Sequence, residues 1–387
     1  MTSYPAPAPS DSGALFKLLS LFLGLVVVIM GSFGLWLALS AQHASDKATA
    51  VAQKVATGGA VTAGSSTAGM PGMSSTVASG RATPSFAGAA PANADAIATK
   101  HAAFPATLPA APAGPVANVH IGISHDVLQI APGVKYDAWT FNGSVPGPVV
   151  HVREGQLVKV TLHNSSPMMH SVDFHAARIA PNLAFTDIMP GATKTFEFRA
   201  NDPGVYMVHC GTAPAFLHIA NGMYFAIVVE PANLPHADVN YVLVASEWYL
   251  NRPGLNAPAS LDQVKAQNMT PDWVTFNGYA GQYKTHPLTA KPGQTVRFWV
   301  VDAGPSLNTE FHVVGTLLDR AWLNADLRDA PQHDIQTAVV PAGGGGVFDV
   351  KIDQPGIYPF VSHSFASVQL GEVGLLKVGN VPGTMDH

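Results

Sequence analysis

The feature that most constrains the fold is an internal duplication. TFNG occurs at 140–143 and again at 275–278, and REGQLVKVTL (153–162) is echoed by KPGQTVRFWV (291–300). DFH (173–175) returns as EFH (310–312), and NDPGVYMVHC (201–210) as DQPGIYPFVSH (353–363). The order is kept and the offset drifts only modestly, so one structural unit is built twice. That unit reads as β. Runs such as VVHVREGQLVKVTLHN (149–164), TKTFEFRA (193–200), YFAIVVEP (224–231), YVLVASEWYL (241–250) and TVRFWVVDAG (295–304) are short and broken by Gly and Pro. Alternation with turn signals at this spacing predicts antiparallel sandwiches. Helical periodicity is confined to a short stretch near SLDQVKAQN (260–268). The expectation is an all-β chain of two tandem sandwiches, at 115–232 and 233–387.

What precedes them differs. Residues 18–42 (LLSLFLGLVVVIMGSFGLWLALSAQ) carry no charged side chain, and a membrane crossing needs about 20 helical residues. A secretory signal is the competing reading, since LALSA at 37–41 offers small residues for cleavage. Its apolar region normally runs only about 7–15 residues, which favours a retained single-pass anchor over 1–42. In either case the bulk of the chain is expected outside the cytoplasm. Residues 43–114 are dominated by Ala, Ser, Thr, Gly and Pro. Such a composition buries too little apolar surface to order itself, so a disordered linker is expected. Its span as a flexible coil would be on the order of 45 Å.

Charge excludes one class of partner. The net charge is −5 and the basic residues are scattered singly, which gives no footprint for nucleic acid. The chain also has one cysteine, Cys210. It cannot form an internal disulfide, so in an oxidising compartment it must be buried, ligated or reactive.

Cys210 sits in MVHCGTAPAFLHIANGM (207–223). Successive side chains of a strand point to opposite faces, so His209 and Cys210 must diverge. His170 and His175, five apart in MHSVDFH, diverge as well if that stretch is extended. Cys210, His170, His218 and Met223 can then converge inside the first sandwich, and His175 and His209 outside it. One thiolate, two imidazoles and a thioether are the donor set of a blue-copper electron-transfer site. The bland alternative is a core cysteine with a coincidental His and Met. The outer pair is too small for a catalytic metal, which usually has three protein ligands and an open position. The second copy supplies a candidate third in His363, and His312 occupies the repeat position of His175. An interface in a cyclic oligomer would bring these residues together.

These motifs resemble those of the copper-containing nitrite reductases. The likeness covers about residues 115–380, through MHSVDFHAA, PGVYMVHCGTAPAFLHIANGM, FHVVGT (311–316) and GIYPFVSHSF (356–365). It implies two cupredoxin-like Greek-key β-sandwiches. It implies a type 1 copper held by His170, Cys210, His218 and Met223. A type 2 copper would be held by His175 and His209 of one subunit and His363 of its neighbour in a homotrimer. Asp173 and His312 would match the catalytic aspartate and histidine, and nitrite would be reduced to nitric oxide and water. The electron would arrive through the Cys210–His209 link. The donor would be a cupredoxin or a cytochrome c, and the anchor also admits a membrane quinol-linked donor. The chain departs from the commoner pattern in a Cys210-to-His218 loop one residue shorter, in Val314 where many members carry Ile, and in the anchor and linker.

Two rival readings stand beside it. A two-domain multicopper oxidase needs His-X-His pairs for a trinuclear cluster, and none of the 16 histidines has another two positions away. A membrane-tethered blue-copper carrier without catalysis would fill only the inner set.

Overall fold

A computed structural model describes residues 85–383. The apolar stretch 18–42 and linker residues 43–84 lie outside the described residues. Among the described residues no helix is long and apolar enough to cross a membrane.

The first sandwich is built from β1 (Val116–Ala131), β2 (Val134–Phe141), β3 (Val150–Arg153), β4 (Leu157–Asn164), β5 (Asp173–Phe174), β6 (Thr193–Arg199), β7 (Gly204–His209) and β8 (Tyr224–Glu230). Its sheets have strand orders β2-β1-β4-β6 and β3-β8-β7-β5. The second comprises β9 (Val239–Trp248), β10 (Trp273–Phe276), β11 (Leu288–Ala290), β12 (Thr295–Asp302), β13 (Thr309–Val313), β14 (Arg320–Trp322), β15 (Ala338–Val340), β16 (Gly345–Lys351), β17 (Gly356–Ser362) and β18 (Val373–Val378). Its orders are β10-β9-β12-β16-β14 and β11-β18-β17-β13-β15. Apart from the added edges β14 and β15, this is the first arrangement again. The parallel pairs recur too, β1·β4 as β9·β12 and β3·β8 as β11·β18. The repeat in the sequence is therefore a repeat of topology.

Burial explains why some strands alternate and others do not. β4 alternates buried with more exposed positions, because only one of its faces meets the core. β8 (YFAIVVE) and β12 (TVRFWVVD) are buried almost throughout. One apolar cluster joins Val205, Met207 and Ala226 to Val244, Trp248 and Trp299, so the sheet holding β7 and β8 packs on the sheet holding β9 and β12. Strands sandwiched in this way read as nearly continuous apolar runs, Arg297 of β12 being paired with the buried Asp349. The short helix Gln263–Gln267 forms where the periodicity suggested. Asp262 caps it by accepting from the amides of Val264 and Lys265.

The linker expectation needs correction for residues 85–114. This end contains the helix Ala94–Lys100 and an extended strap laid along both sandwiches. Leu108 N–H donates to Asn240 O, and Val242 N–H to Ala106 O. Phe104 O accepts from Tyr283 Oη, and Pro112 O from Arg153 and Gln156. A composition argument counts apolar side chains, and this strap is held largely by its peptide groups, with Ala106 and Leu108 reaching the apolar clusters.

Candidate metal centre

β7 sorts its side chains by parity. Val205 and Met207 enter the cluster between the sandwiches, whereas Val208 and Cys210 enter the core of the first sandwich. β5 pairs with β7 in the register Asp173↔His209 and Phe174↔Val208. Val172 and Phe174 face the core with Cys210, so Asp173 and His175 share the side of His209. The chain thus carries two groups of converging ligand atoms, His170–Cys210–His218 and Asp173–His175–His209, each within 4.8 Å.

The inner group is fully buried. Cys210 Sγ lies 3.2 Å from His218 Nδ1 and 3.9 Å from His170 Nδ1, and the two Nδ1 atoms are 3.0 Å apart. Both Nδ1 atoms therefore point at one place. Burial, then the neighbouring His218 and His125, hold His170 down to about 3. His218 lies at about 4, lowered by burial against the opposing pull of Asp187. Both rings are neutral near pH 7, the form that ligates a metal. Burial pushes the Cys210 thiol up, against the amides of Ser171 and Thr212 that pull it down. Two imidazoles and a thiol converge here in a buried place that disfavours a bare thiolate. This fits a copper ion with His, His and Cys ligands.

His218 comes from the helix Ala215–Ala220, and Met223 directly precedes β8. Met223 is wholly buried; its amide donates to His218 O and its carbonyl accepts from Cys210 N–H. The turn between them requires Gly222, at φ +109°, where a Cβ would sit 2.6 Å from Val145 Cγ2.

The outer group is open. His175 Nε2 and His209 Nε2 are 3.0 Å apart, with each Nδ1 tied to a carbonyl, Gly343 O and Cys210 O respectively. Those ties aim both Nε2 atoms at a shared position. Desolvation of the His175 ring, then His209, lowers its pKa, while Asp173 and the Gly343 carbonyl raise it.

His312 and His363 form a separate pair on the second sandwich, with ring centroids 5.2 Å apart. His312 Nδ1 lies 2.6 Å from Gln336 O, and His363 N–H donates to Glu310 O. Among the described residues no three-residue group joins His363 to His175 and His209.

Two features escaped the sequence reading. His125 contacts the inner group, with its Nε2 3.1 Å from that of His170. The second sandwich also keeps the frame of the inner site without its ligands. Ser362 N–H donates to Glu372 O, and Glu372 N–H to Ser367 O, as Cys210 and Met223 do in the first copy. Gly371 (φ +114°) matches Gly222. Ser362, Ser367 and Glu372 thus stand where Cys210, His218 and Met223 do. Carrying the repeat alignment past His363 would have found them.

A family model described as multicopper oxidase matches residues 123–234. The chain is 40% identical over 258 residues to a copper-containing nitrite reductase of Neisseria gonorrhoeae, covering 65% of each. It therefore spans just under two thirds of that relative's length. Against the copper-containing nitrite reductase of Alcaligenes xylosoxydans xylosoxydans identity is 30% over 279 residues, 66% of this chain and 82% of the relative. The structure superposes on a copper nitrite reductase of Nitrosomonas europaea with a TM-score of 0.63 and 34% identity, covering 68% of this chain and 94% of that one. Similarity of this extent shows that the chain belongs to the copper-containing nitrite reductase family.

Proposed function

We propose that this chain is a copper-dependent nitrite reductase, reducing nitrite by one electron with two protons to nitric oxide and water. The observation that carries the reading is the peptide bond between His209 and Cys210, which links a buried His–Cys–His group to an open group of two histidines and an aspartate. His170, Cys210, His218 and Met223 are the proposed ligands of a type 1 copper. His175 and His209, with His363 of a neighbouring subunit in a homotrimer, are those of a type 2 copper. When bound, copper supplies one-electron redox chemistry at the first group and a Lewis acid for the anion at the second.

The other residues hold and move protons. Asp173 presents its carboxyl beside His175 and His209, within reach of a departing oxygen. His312 donates from Nδ1 to the Gln336 carbonyl, leaving Nε2 as the atom that takes up or releases a proton. The His312–His363 pair of one protomer would close over the Asp173 group of the next.

The chain is further proposed to be held by residues 18–42 on the outer side of the cytoplasmic membrane. It would divide into an anchor (1–42), a linker from 43 whose 85–114 end is packed, and sandwiches at 115–232 and 233–387. The electron donor would be a cupredoxin, a cytochrome c or a membrane quinol-linked protein.

The test is a nitrite-to-nitric-oxide assay on copper-loaded protein, with a copper count and an electron paramagnetic resonance spectrum. Turnover with two coppers per chain supports the reading. One copper, no type 2 signal and no turnover would leave an electron carrier. Asp173→Asn should retain both coppers and slow turnover about 10²-fold, the lower end for loss of a proton-transferring group. A rate equal to the parent's would remove Asp173 from the mechanism.

A further inference from the structure

His125 lies 45 residues before His170 in the sequence, yet it touches the inner group. It lies on β1 directly opposite Trp139 of β2. The two rings stack nearly parallel, 8° between planes and 5.2 Å between centroids. Trp139 in turn meets His170 and His218 edge to face, at 5.5 and 4.9 Å. His125 Nε2 lies 3.1 Å from His170 Nε2. A cross-strand pair thus forms a wall against the outer edges of both inner imidazoles.

The chemistry of the ring fixes who donates. A neutral imidazole has one N–H and one lone pair. His170 Nδ1 faces His218 Nδ1 and Cys210 Sγ, so its lone pair belongs there and its proton sits on Nε2. The atom facing that N–H is His125 Nε2. His125 therefore accepts at Nε2 and carries its own proton on Nδ1. A histidine that ligates a metal commonly donates its second N–H to a carboxylate, carbonyl or water, and that partner sets its orientation and basicity.

We infer that His125 is a positioning residue for His170: accepting its Nε2–H, it fixes the ligating tautomer and sets how strongly His170 donates electron density to the metal beside Cys210. The inference rests on the copper reading above. A neutral imidazole draws less on the shared proton than a carboxylate would, so His170 stays a moderate donor and the reduced metal is favoured. Trp139 keeps the His125 ring in the plane that this bond requires.

The test uses full-length, copper-loaded protein and reads the potential of the Cys210 copper by redox titration of its visible thiolate absorption. His125→Glu supplies an anionic acceptor, makes His170 more basic and shifts the potential down. His125→Phe keeps a ring against Trp139 but offers no acceptor, and shifts the potential up with altered band intensities. His125→Gln restores a neutral acceptor and returns the potential to the parent's. Glu and Gln differ little in size, so the comparison survives if the Phe variant fails to fold. Identical potentials for the Glu and Gln variants and the parent would overturn the inference while leaving the copper site standing. A parent without thiolate absorption would instead sink the copper reading, and this inference with it.

Discussion

Replacing His175 with alanine is expected to leave the visible thiolate absorption intact and to lower nitrite turnover by at least about 10³-fold. Losing a residue that merely supports a metal ligand typically costs about 10–100-fold, and His175 is itself a proposed ligand. The absorption survives because Cys210, His170 and His218 lie on the opposite face of the strand pair, in the core of the first sandwich. His175 contributes nothing to that core; its Nε2 faces His209 Nε2, at 3.0 Å, with Asp173 completing the group. His363→Ala should give the same pair of results, although its side chain belongs to the other sandwich. Matching losses from residues on two sandwiches are what an intersubunit site demands. Absorption spectra and nitric oxide release on the two variants check this, and retained turnover in either one refutes the type 2 assignment.

The second large effect concerns stability. Glu372 is wholly buried, accepts from Thr309 Oγ1, and has its pKa raised to about 8 by burial, with Glu310 and Glu247 adding to the rise. Asp302 and Glu247 are buried beside it and shifted the same way. As pH climbs past the ordinary glutamate value near 4.5, the unfolded chain releases this proton while the folded chain keeps it. Stability therefore falls with rising pH, from about 4.5 until ionisation of the folded form near 8, and then levels off. At 1.36 kcal/mol per unit the loss approaches roughly 5 kcal/mol, a large share of a typical domain's total. Glu372→Gln keeps a neutral group of similar shape and should remove the Glu372 share of this slope, leaving the part that Asp302 and Glu247 contribute. Denaturant unfolding at pH 5 and pH 9 reads it: parent and variant nearly equal at pH 5, the variant several kcal/mol more stable at pH 9. Parallel slopes would show that Glu372 does not carry the effect.

How much of this was legible beforehand depends on the range of the interactions. The opposite destinations of residues 209 and 210 follow from the two-residue period of an extended segment, and neighbours suffice to read that. The duplication is equally plain, since four motifs recur in order. His125 was not legible, because its place opposite Trp139 depends on the β1–β2 register and its target lies 45 residues on. The acidic group of the second sandwich was hidden differently. Ser362 is no metal ligand and Glu372 lies beyond the repeat motifs, which end at His363; the shared backbone bonds show that they occupy the old ligand positions. Residues 85–114 were misjudged because peptide groups, which every sequence has, do most of the holding.

Between Phe104 and Gly114 the strap engages the body through its own carbonyls and amides, with side chains such as Arg153, Gln156 and Tyr283 reaching in from the other side. Apart from Ala106 and Leu108, whose side chains join the apolar clusters, its residues are consequently exchangeable while its length is not. A saturation scan would find this segment tolerant of most replacements, yet deleting one residue would throw every downstream carbonyl out of step with its donor. Natural variants of the segment should drift in spelling while conserving their count.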